Sequence, residues 1–205
     1  MARSKSSSRW LREHHDDEYV LQARREGYRS RAVYKLIELD EKYALFRSGM
    51  TIVDLGAAPG GWAQYAALRV GEKGRVVASD ILPMDPIAGV EFIQGDFREQ
   101  DVFERILGCV DNRVDLVISD IAPNMSGIDA VDIPRAMYLA ELVSDFAGHT
   151  LKQGGGLVCK LFQGEGSEAW LKSLRKDFNK VWVKKPKASR PRSREVYVYA
   201  MGFKT

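Results

Sequence analysis

The sequence has few of the residues that mark cross-linked, metal-bound or membrane-spanning proteins. Its only two cysteines, Cys109 and Cys159, form no CxxC pair, so neither a disulfide framework nor a cysteine-based zinc site is expected. A reducing, cytoplasmic compartment is therefore the default. Two of its three histidines, His14 and His15, are adjacent in a polar segment, and we expect no metal site. No apolar run approaches the roughly 18–20 residues that a membrane-spanning helix needs, and the basic, serine-rich start does not resemble a secretory signal.

The composition that remains is that of an ordinary soluble globular protein. The chain has 205 residues, of which 45% are apolar and 29% are charged. This length favours one domain with short appendages. We expect a single domain over residues 18–205, whose first part, residues 18–48, is a helical extension. Residues 1–17 should form a basic, loosely ordered tail.

Charge is unevenly distributed along the chain. The net charge is +3, but residues 1–31 carry +3, residues 32–171 carry −9, and residues 172–194 carry +9. Basic ends around an acidic middle indicate a polyanionic partner such as a nucleic acid, although solvated basic tails would give the same pattern. The candidate phosphate contacts are Arg9, Arg24, Arg25, Arg29, Arg31, Lys184, Lys185, Lys187, Arg190, Arg192 and Arg194.

Short apolar strands alternate with helical segments from Gly49 onward. Strands are predicted over 51–55, 75–79, 90–93, 114–119, 156–162, 181–183 and 196–200. Helices are predicted over 18–43 and 60–68, with Pro134 in the first turn of a third and Ser167 capping a fourth. This pattern predicts an α/β, Rossmann-like fold: a mostly parallel seven-stranded sheet with helices on both faces. The last strand should be antiparallel, because the segment before it is too short for a crossover helix.

A glycine-rich turn, Asp54-Leu-Gly-Ala-Ala-Pro-Gly-Gly-Trp62, follows the first strand. Ala58 replaces the second glycine of the dinucleotide fingerprint GxGxxG, and no Walker Gly-Lys-Ser/Thr follows. A cradle for a diphosphate is therefore not expected. Asp80 and Asp96 come at the ends of the next two strands, where their carboxylates could accept hydrogen bonds from ribose hydroxyls and from an adenine amine. Acids in place of phosphate-binding groups suit S-adenosylmethionine, which carries a sulfonium and no phosphate.

Three ionisable residues of mixed sign should meet at the same edge of the sheet. Asp120 follows the fourth strand, and Lys160 lies near the end of an otherwise apolar fifth strand. Glu195 begins the last strand, whose start reaches the same edge if that strand is antiparallel. Each residue alone is most simply a surface charge. Together, and beside a cofactor turn, they indicate a catalytic site, since a buried lysine needs a partner or a cleft.

Several motifs together resemble those of the FtsJ/RrmJ family of ribosomal RNA methyltransferases, over nearly the whole chain. Besides the glycine-rich turn, the matching stretches are Ser30-Arg-Ala-Val-Tyr-Lys35, Asp80-Ile-Leu-Pro-Met-Asp-Pro86, Gln94-Gly-Asp-Phe97, Ser119-Asp-Ile-Ala-Pro-Asn-Met-Ser126, Val131-Asp-Ile-Pro-Arg135, Lys160-Leu-Phe-Gln-Gly164 and Ser193-Arg-Glu-Val-Tyr197. The resemblance implies the S-adenosylmethionine-dependent methyltransferase fold. It also implies methylation of the 2′-hydroxyl of a uridine in the A loop of bacterial 23S ribosomal RNA, in the 50S particle.

The resemblance also implies the site residues. The family's Lys-Asp-Lys-Glu tetrad falls on Lys35, Asp120, Lys160 and Glu195. Its cofactor contacts fall on Gly60, Trp62, Asp80, Asp96 and Asp120. Periodicity by itself places Lys35 off the apolar stripe of its helix, as a residue that need not be buried.

Lys160 is the candidate for the group that activates the 2′-oxygen. Asp120 and Glu195 would hold it, and Lys35 would orient the ribose or a phosphate. A lysine in water is charged at neutral pH, so two versions remain: a neutral base, or a charged group that orients the oxygen.

Other functions also fit this sequence. The alternatives are 2′-O-methylation of tRNA or an mRNA cap, and an RNA-binding factor in ribosome assembly. Base N-methylation is disfavoured, because Asp120-Ile-Ala-Pro replaces the Asn/Asp-Pro-Pro-aromatic turn of many such enzymes. We expect a monomer.

Overall fold

The computed structural model describes residues 17–110 and 114–204, so most of the predicted tail and Arg9 lie outside the described residues. From the first strand onward, strands mostly alternate with helices, except that no helix separates the second and third strands or the last two. The helices are α1 (Glu18–Glu26), α2 (Val33–Tyr43), α3 (Gly61–Val70), α4 (Gln100–Val110), α5 (Asp129–Thr150) and α6 (Ser167–Asp177). The strands are β1 (Thr51–Leu55), β2 (Arg75–Asp80), β3 (Val90–Gln94), β4 (Val114–Ser119), β5 (Leu151–Phe162), β6 (Phe178–Lys184) and β7 (Glu195–Phe203).

The strands form one sheet in the order β3-β2-β1-β4-β5-β7-β6. The first five in this order are parallel neighbours, whereas β7 is antiparallel to both β5 and β6. The ten residues between β6 and β7 contain no helix, so the chain turns back beside β6 instead of crossing over the sheet. The predicted fold is confirmed, including the antiparallel last strand. As a result, the start of β7 lies at the edge where the parallel strands end.

Helices cover both faces of the sheet. Buried side chains of α2 and α3 pack with one set of strand residues, which includes Ile52, Ile118 and Tyr197. Those of α4, α5 and α6 pack with the alternate set, which includes Val53 and Val117. Neighbouring strand residues point to opposite faces, and a sheet covered on both sides has apolar strands throughout. This explains why the predicted strands are continuous apolar runs.

The helix predicted over residues 18–43 is in fact two helices. Gly27 ends α1 in the left-handed region, with φ of +76°, and its N–H donates to the carbonyls of Ala23 and Arg24. Such a glycine cap is a common helix terminator. The chain then turns before α2, which packs so closely on the sheet that Lys35 is only 8% exposed. The helical stripe alone therefore misjudged the burial of Lys35.

Two predicted helix starts were also wrong. α5 begins at Asp129, so Pro134 lies inside the helix and not in its first turn. Gly166, not Ser167, caps α6. α5 starts earlier than predicted because the Asp132 carboxylate accepts hydrogen bonds from backbone N–H groups of the turn just before the helix, which fixes that turn. No helix had been predicted where α4 lies.

Candidate active site

A cleft of about 500 Å³ opens at the carboxyl ends of the parallel strands β1 to β4. Asp80 from the end of β2, Asp96 after β3 and Asp120 after β4 all line it, as do Arg98 and Arg135. Because parallel strands end at one edge, residues distant in sequence meet there. The structure thus brings together three of the predicted cofactor residues.

Two glycines allow the turn after β1 to pack closely against its neighbours. A Cβ on Gly56 would lie 2.7 Å from the Cβ of Ile121, in the turn after β4. A Cβ on Gly60 would lie 2.6 Å from the Cδ1 of Ile87. Both glycines also have positive φ angles, +73° and +102°, which other residues rarely adopt. Any other residue at either position would strain the backbone, and at Gly56 it would also collide with the base of the Ile121 side chain.

The cleft carboxylates are held in fixed positions. Asp80 accepts hydrogen bonds from the backbone N–H groups of Ala58 (2.9 Å) and Leu82 (2.8 Å). Asp96 forms a bidentate ion pair with Arg98, and this hydrogen bonding holds the pKa of Asp96 below its ordinary value. Carboxylates with remaining lone pairs suit ribose hydroxyls and an amine, and an acidic lining suits a cation. These acceptor groups therefore fit a sulfonium nucleoside such as S-adenosylmethionine.

Another carboxylate, Asp54, lies at the end of β1 and is only 1% exposed. Burial, reinforced by the charges of Asp120 and Asp80, raises its pKa well above the ordinary value. One carboxylate oxygen, Oδ2, has no hydrogen-bond partner among the described residues. Asp54 therefore resists ionisation.

The other two predicted cofactor residues, Gly60 and Trp62, are not among the residues that line the cleft. The Trp62 side chain is buried in the core between α2 and the sheet. Its indole N–H donates to the carbonyl of Ala32 (2.8 Å), and its ring lies 5.7 Å from that of Tyr197. The side chain thus connects the glycine-rich turn to α2 and β7. A cofactor contact through the main chain of Gly60 or Trp62 stays a prediction.

The four predicted tetrad residues lie in one cluster. Lys160 Nζ is 2.9 Å from Oδ1 of Asp120 and donates to the Asp120 carbonyl at 2.6 Å. Lys35 Nζ is 2.9 Å from Oε1 of Glu195 and 3.9 Å from Oδ1 of Asp120. Two acids and two lysines balance to zero net charge. The site therefore contains two ion pairs, Lys160–Asp120 and Lys35–Glu195.

Strand register explains how this cluster forms. On the antiparallel pair β5–β7, Lys160 lies opposite Tyr197 and Phe162 opposite Glu195. Directly opposite residues share a face of the sheet, as do residues two apart on one strand. Lys160, Tyr197 and Glu195 therefore point to the face that α2 covers, and α2 brings Lys35 to them.

The lysines determine the charge state of Asp120. Burial alone would raise the pKa of this carboxyl, but Lys160, Lys35 and a hydrogen bond from Tyr197 outweigh burial and hold the pKa below its ordinary value. Both lysines are 8% exposed. Asp120 is therefore an anion between two nearly buried cations.

Sequence reasoning missed one member of this cluster, Tyr197. Its hydroxyl accepts a hydrogen bond from Lys35 Nζ (2.8 Å) and donates one to Oδ1 of Asp120 (2.5 Å). Its position two residues after Glu195 in a predicted strand was an available signal, because such residues share a face.

Several basic side chains that are predicted to contact RNA donate hydrogen bonds to main-chain carbonyls. Arg29 donates to the carbonyls of Asp85 and Pro86, both at 2.6 Å, in the segment after β2. Arg31 donates to the Ala188 carbonyl at 2.6 Å, and Lys185 donates to the Ser193 carbonyl at the same distance. These contacts fix side-chain positions without neutralising the positive charges, although Arg31 also pairs with Asp17 at 3.1 Å.

The remaining basic residues belong mainly to the segment between β6 and β7. Acidic side chains lie near three of them: Glu38 is 3.9 Å from Lys184, Asp17 is 3.9 Å from Arg190, and Asp129 is 3.0 Å from Arg194. This segment, residues 185–194, leads directly into Glu195 and therefore ends beside the tetrad. Lys187, Arg192, Arg24 and Arg25 are exposed. Their contacts with RNA stay predictions.

Within residues 17–110 and 114–204, no group of three or more His, Cys, Asp and Glu side chains could hold a metal ion. No helix in this part of the chain has the length and apolar character to cross a membrane.

Comparison with known proteins places this site in a family. The FtsJ-like methyltransferase family matches residues 28–203. Ribosomal RNA large subunit methyltransferase E of Hydrogenovibrio crunogenus is 60% identical over all of both chains. The Pseudomonas aeruginosa protein of that name is 59% identical over 100% of this chain and 99% of its own. A crystal structure assigned as a Plasmodium falciparum ribosomal RNA methyltransferase has a TM-score of 0.78 and 30% identity, covering 86% of this chain and 98% of its own. By these matches, the chain belongs to the FtsJ-like methyltransferase family.

Proposed function

We propose that this protein transfers the methyl group of S-adenosylmethionine to the ribose 2′-hydroxyl of a uridine in the A loop of 23S ribosomal RNA. The substrate is the 50S particle, and the protein acts as a monomer in the cytoplasm, with residues 18–205 as its catalytic domain. The proposal rests on one observation: two lysine–carboxylate pairs lie in one cluster beside an acidic cleft. Relatives that are about 60% identical over the full length and named as large-subunit methyltransferases support the choice of RNA.

The acidic cleft would hold the cofactor. Asp80 would accept hydrogen bonds from its ribose hydroxyls, Asp96 would accept from its adenine amine, and the Asp120 carboxylate would attract its positive sulfonium. The N–H groups of Gly61 and Trp62, in the first turn of α3, suit the methionine carboxylate, because a helix N-terminus attracts anions. The N–H of Gly60 already donates to the carbonyl of Ala57. When bound, S-adenosylmethionine supplies an electrophilic methyl group on a positive sulfur.

Lys160 receives the proton of the 2′-hydroxyl. Lys160 acts as a base only after its ammonium has lost a proton to solvent. The neutral amine then has two N–H groups and one lone pair. The two acceptors on Asp120, the carboxylate and the carbonyl, use the two N–H groups. The lone pair is then left for the substrate hydroxyl. The ammonium that forms after proton transfer stays paired with the Asp120 carboxylate, which stabilises this product.

Lys35 orients the ribose or an adjacent phosphate. Glu195 holds its ammonium at 2.9 Å. Because the pair is nearly buried, it is weakly screened by solvent. Lys35 does not line the acidic cleft, so its position on α2 suits a contact with RNA.

The RNA backbone contacts the basic segment between β6 and β7 and the start of α2. These residues flank the tetrad, so phosphates held there bring a ribose to Lys160. The acids near Lys184, Arg190 and Arg194 keep this segment in place and give way to phosphate when RNA binds. Binding that replaces counterions on phosphates weakens steeply with salt.

One assay tests the proposal. The wild-type protein is incubated with labelled S-adenosylmethionine and, separately, with 50S particles, deproteinised 23S RNA and tRNA, and the methylated nucleoside is identified. We expect 2′-O-methyluridine in the A loop, formed best in 50S particles. Methylation of tRNA alone would show that tRNA, and not 23S RNA, is the substrate. A protein that binds 50S particles without methylating any RNA would be an assembly factor and not an enzyme.

A further inference from the structure

The hydroxyl of Tyr197 lies between the two ion pairs of the tetrad. It accepts from Lys35 Nζ at 2.8 Å and donates to Oδ1 of Asp120 at 2.5 Å. With the two ion pairs, this makes one continuous chain of contacts: Glu195 to Lys35, to the Tyr197 hydroxyl, to Asp120, to Lys160. Every charged member of the tetrad belongs to it.

The hydroxyl is a closer link than the direct contact between the two pairs. Lys35 Nζ and Oδ1 of Asp120 are 3.9 Å apart, too far for a hydrogen bond. The phenol oxygen fills this gap, since it donates to an anion and accepts from a cation at once. It thereby sets the separation between the two pairs.

The tyrosine ring is held rigidly. It is fully buried, and it packs against Trp62 with ring centroids 5.7 Å apart. Lys35 Nζ lies 5.3 Å from the centre of the ring. Burial, together with the charges of Asp120 and Glu195, raises the pKa of Tyr197 well above its ordinary value. The phenol is therefore neutral and keeps its proton for Asp120.

We propose that Tyr197 is a positioning residue for methyl transfer, which acts by fixing Lys35 and Asp120 and, through Asp120, the Lys160 amine. This inference rests on the proposed function. Lys160 contacts Asp120 through both the carboxylate and the carbonyl, so rotation of the carboxylate would turn the Lys160 nitrogen away from the substrate oxygen. Small errors in the alignment of reacting groups cost large factors in rate.

The test compares Tyr197→Phe with Tyr199→Phe. Both substitutions remove one hydroxyl from the same strand and the same sheet face. Tyr199 stacks on Trp182, with centroids 5.2 Å apart, and lies outside the chain of contacts. The Tyr197→Phe substitution retains the aromatic ring and its packing against Trp62, so this variant should fold.

The measurement is methylation of 50S particles in a single turnover, with enzyme and cofactor saturating. The rate constant reports the positioning of the groups, whereas the amplitude reports the active fraction. We expect Tyr197→Phe to lower the rate constant roughly 10- to 100-fold, the range for losing a hydrogen bond to a charged group. Its amplitude and its affinity for S-adenosylmethionine should stay within twofold of wild type. Tyr199→Phe should match wild type in all three.

Two results would overturn the inference. One is a Tyr197→Phe rate constant within twofold of wild type; the other is a loss of amplitude alone, which indicates a structural role. Repeating Tyr197→Phe in a Lys35→Met background adds a third check. If Tyr197 acts through Lys35, its substitution must lower the rate constant by a smaller factor when Lys35 is absent. An equal fold-loss in both backgrounds would also overturn it. Failure of the wild-type protein to methylate any RNA would instead overturn the proposed function.

Discussion

Replacing Lys160 with methionine tests the centre of the proposed mechanism. Methionine keeps most of the length of the side chain and removes its nitrogen, so packing within β5 changes little. The change deletes the 2.9 Å ion pair with Asp120 and the 2.6 Å bond to the Asp120 carbonyl. Asp120 keeps the Tyr197 hydrogen bond and Lys35 at 3.9 Å.

The size of the effect on rate follows from the role of the lost group. Removing a general base costs about 10²- to 10⁴-fold in the chemical step. The effect on stability should be smaller than the roughly 3–5 kcal/mol of a buried ion pair left with one unpaired charge. Asp120 retains two partners, so we expect a loss of about 1.5–3 kcal/mol, comparable to one hydrogen bond to a charged group.

Single-turnover methylation of 50S particles measures the rate, and calorimetric titration measures cofactor binding, which Lys160→Met should leave unchanged. Lys152→Met is a matched control on the same strand. Lys152 pairs with Asp115 at the opposite end of β5 and is half exposed, so its loss should change neither quantity.

Lys160→Arg separates a base from an orienting cation. Arginine cannot give up its proton at accessible pH, but it can orient an oxygen. We expect near-complete loss of turnover in Lys160→Arg. Substantial retained activity would refute the base and leave the orienting role, whereas near wild-type turnover in Lys160→Met would refute both.

Three further predictions concern the cofactor, the RNA and the buried acid. Asp80→Ala should weaken S-adenosylmethionine binding by about 1.5–3 kcal/mol for each lost bond to the ribose, and unchanged affinity by calorimetry would contradict this role. Changing Lys184, Lys185 and Lys187 together to alanine should weaken RNA binding and flatten its dependence on salt, without altering cofactor affinity; a wild-type salt slope would contradict it. Because the pKa of Asp54 is raised in the folded state, its protonation contributes fully to the free energy of unfolding below the unfolded-state pKa, and this contribution is lost as pH rises through the folded-state pKa. Asp54→Asn should therefore gain stability relative to wild type as pH rises, in urea unfolding from acidic to alkaline pH; parallel stability curves would rule this out.

The fold class and the place of the cofactor cleft could be predicted because both depend on local patterns. An apolar run followed by glycine or aspartate marks the end of a buried parallel strand, and such ends meet at one edge of the sheet. Asp80, Asp96 and Asp120 were identified in this way. The chemistry of the cofactor followed from the same residues and from the glycine-rich turn, which lacks both fingerprints of a diphosphate cradle. Boundaries were less accurate where a single cap decides them, as Gly27 does for α1.

Lys35, by contrast, was placed in the site only by resemblance to a family. Its helical stripe indicated a solvated residue, because periodicity within one helix does not describe how closely that helix approaches a sheet. In the structure, α2 packs flat enough to bury Lys35 against β7, where it bonds to a tyrosine 162 residues away. Only the structure shows likewise that the guanidinium of Arg29, a predicted phosphate contact, donates to main-chain carbonyls after β2.

The sequence by itself therefore determined the fold class, the cofactor turn and the acids at the strand ends, because each depends on residues close together in the chain. Only the tertiary structure decided that Tyr197 lies opposite Lys160 and connects the two ion pairs. That arrangement requires one register of β7 on β5, and a shift by one residue would turn Tyr197 and Glu195 to the other face. It also requires α2 to lie over that same face. Neither condition can be predicted from a local run of residues, since both follow from how distant segments pack.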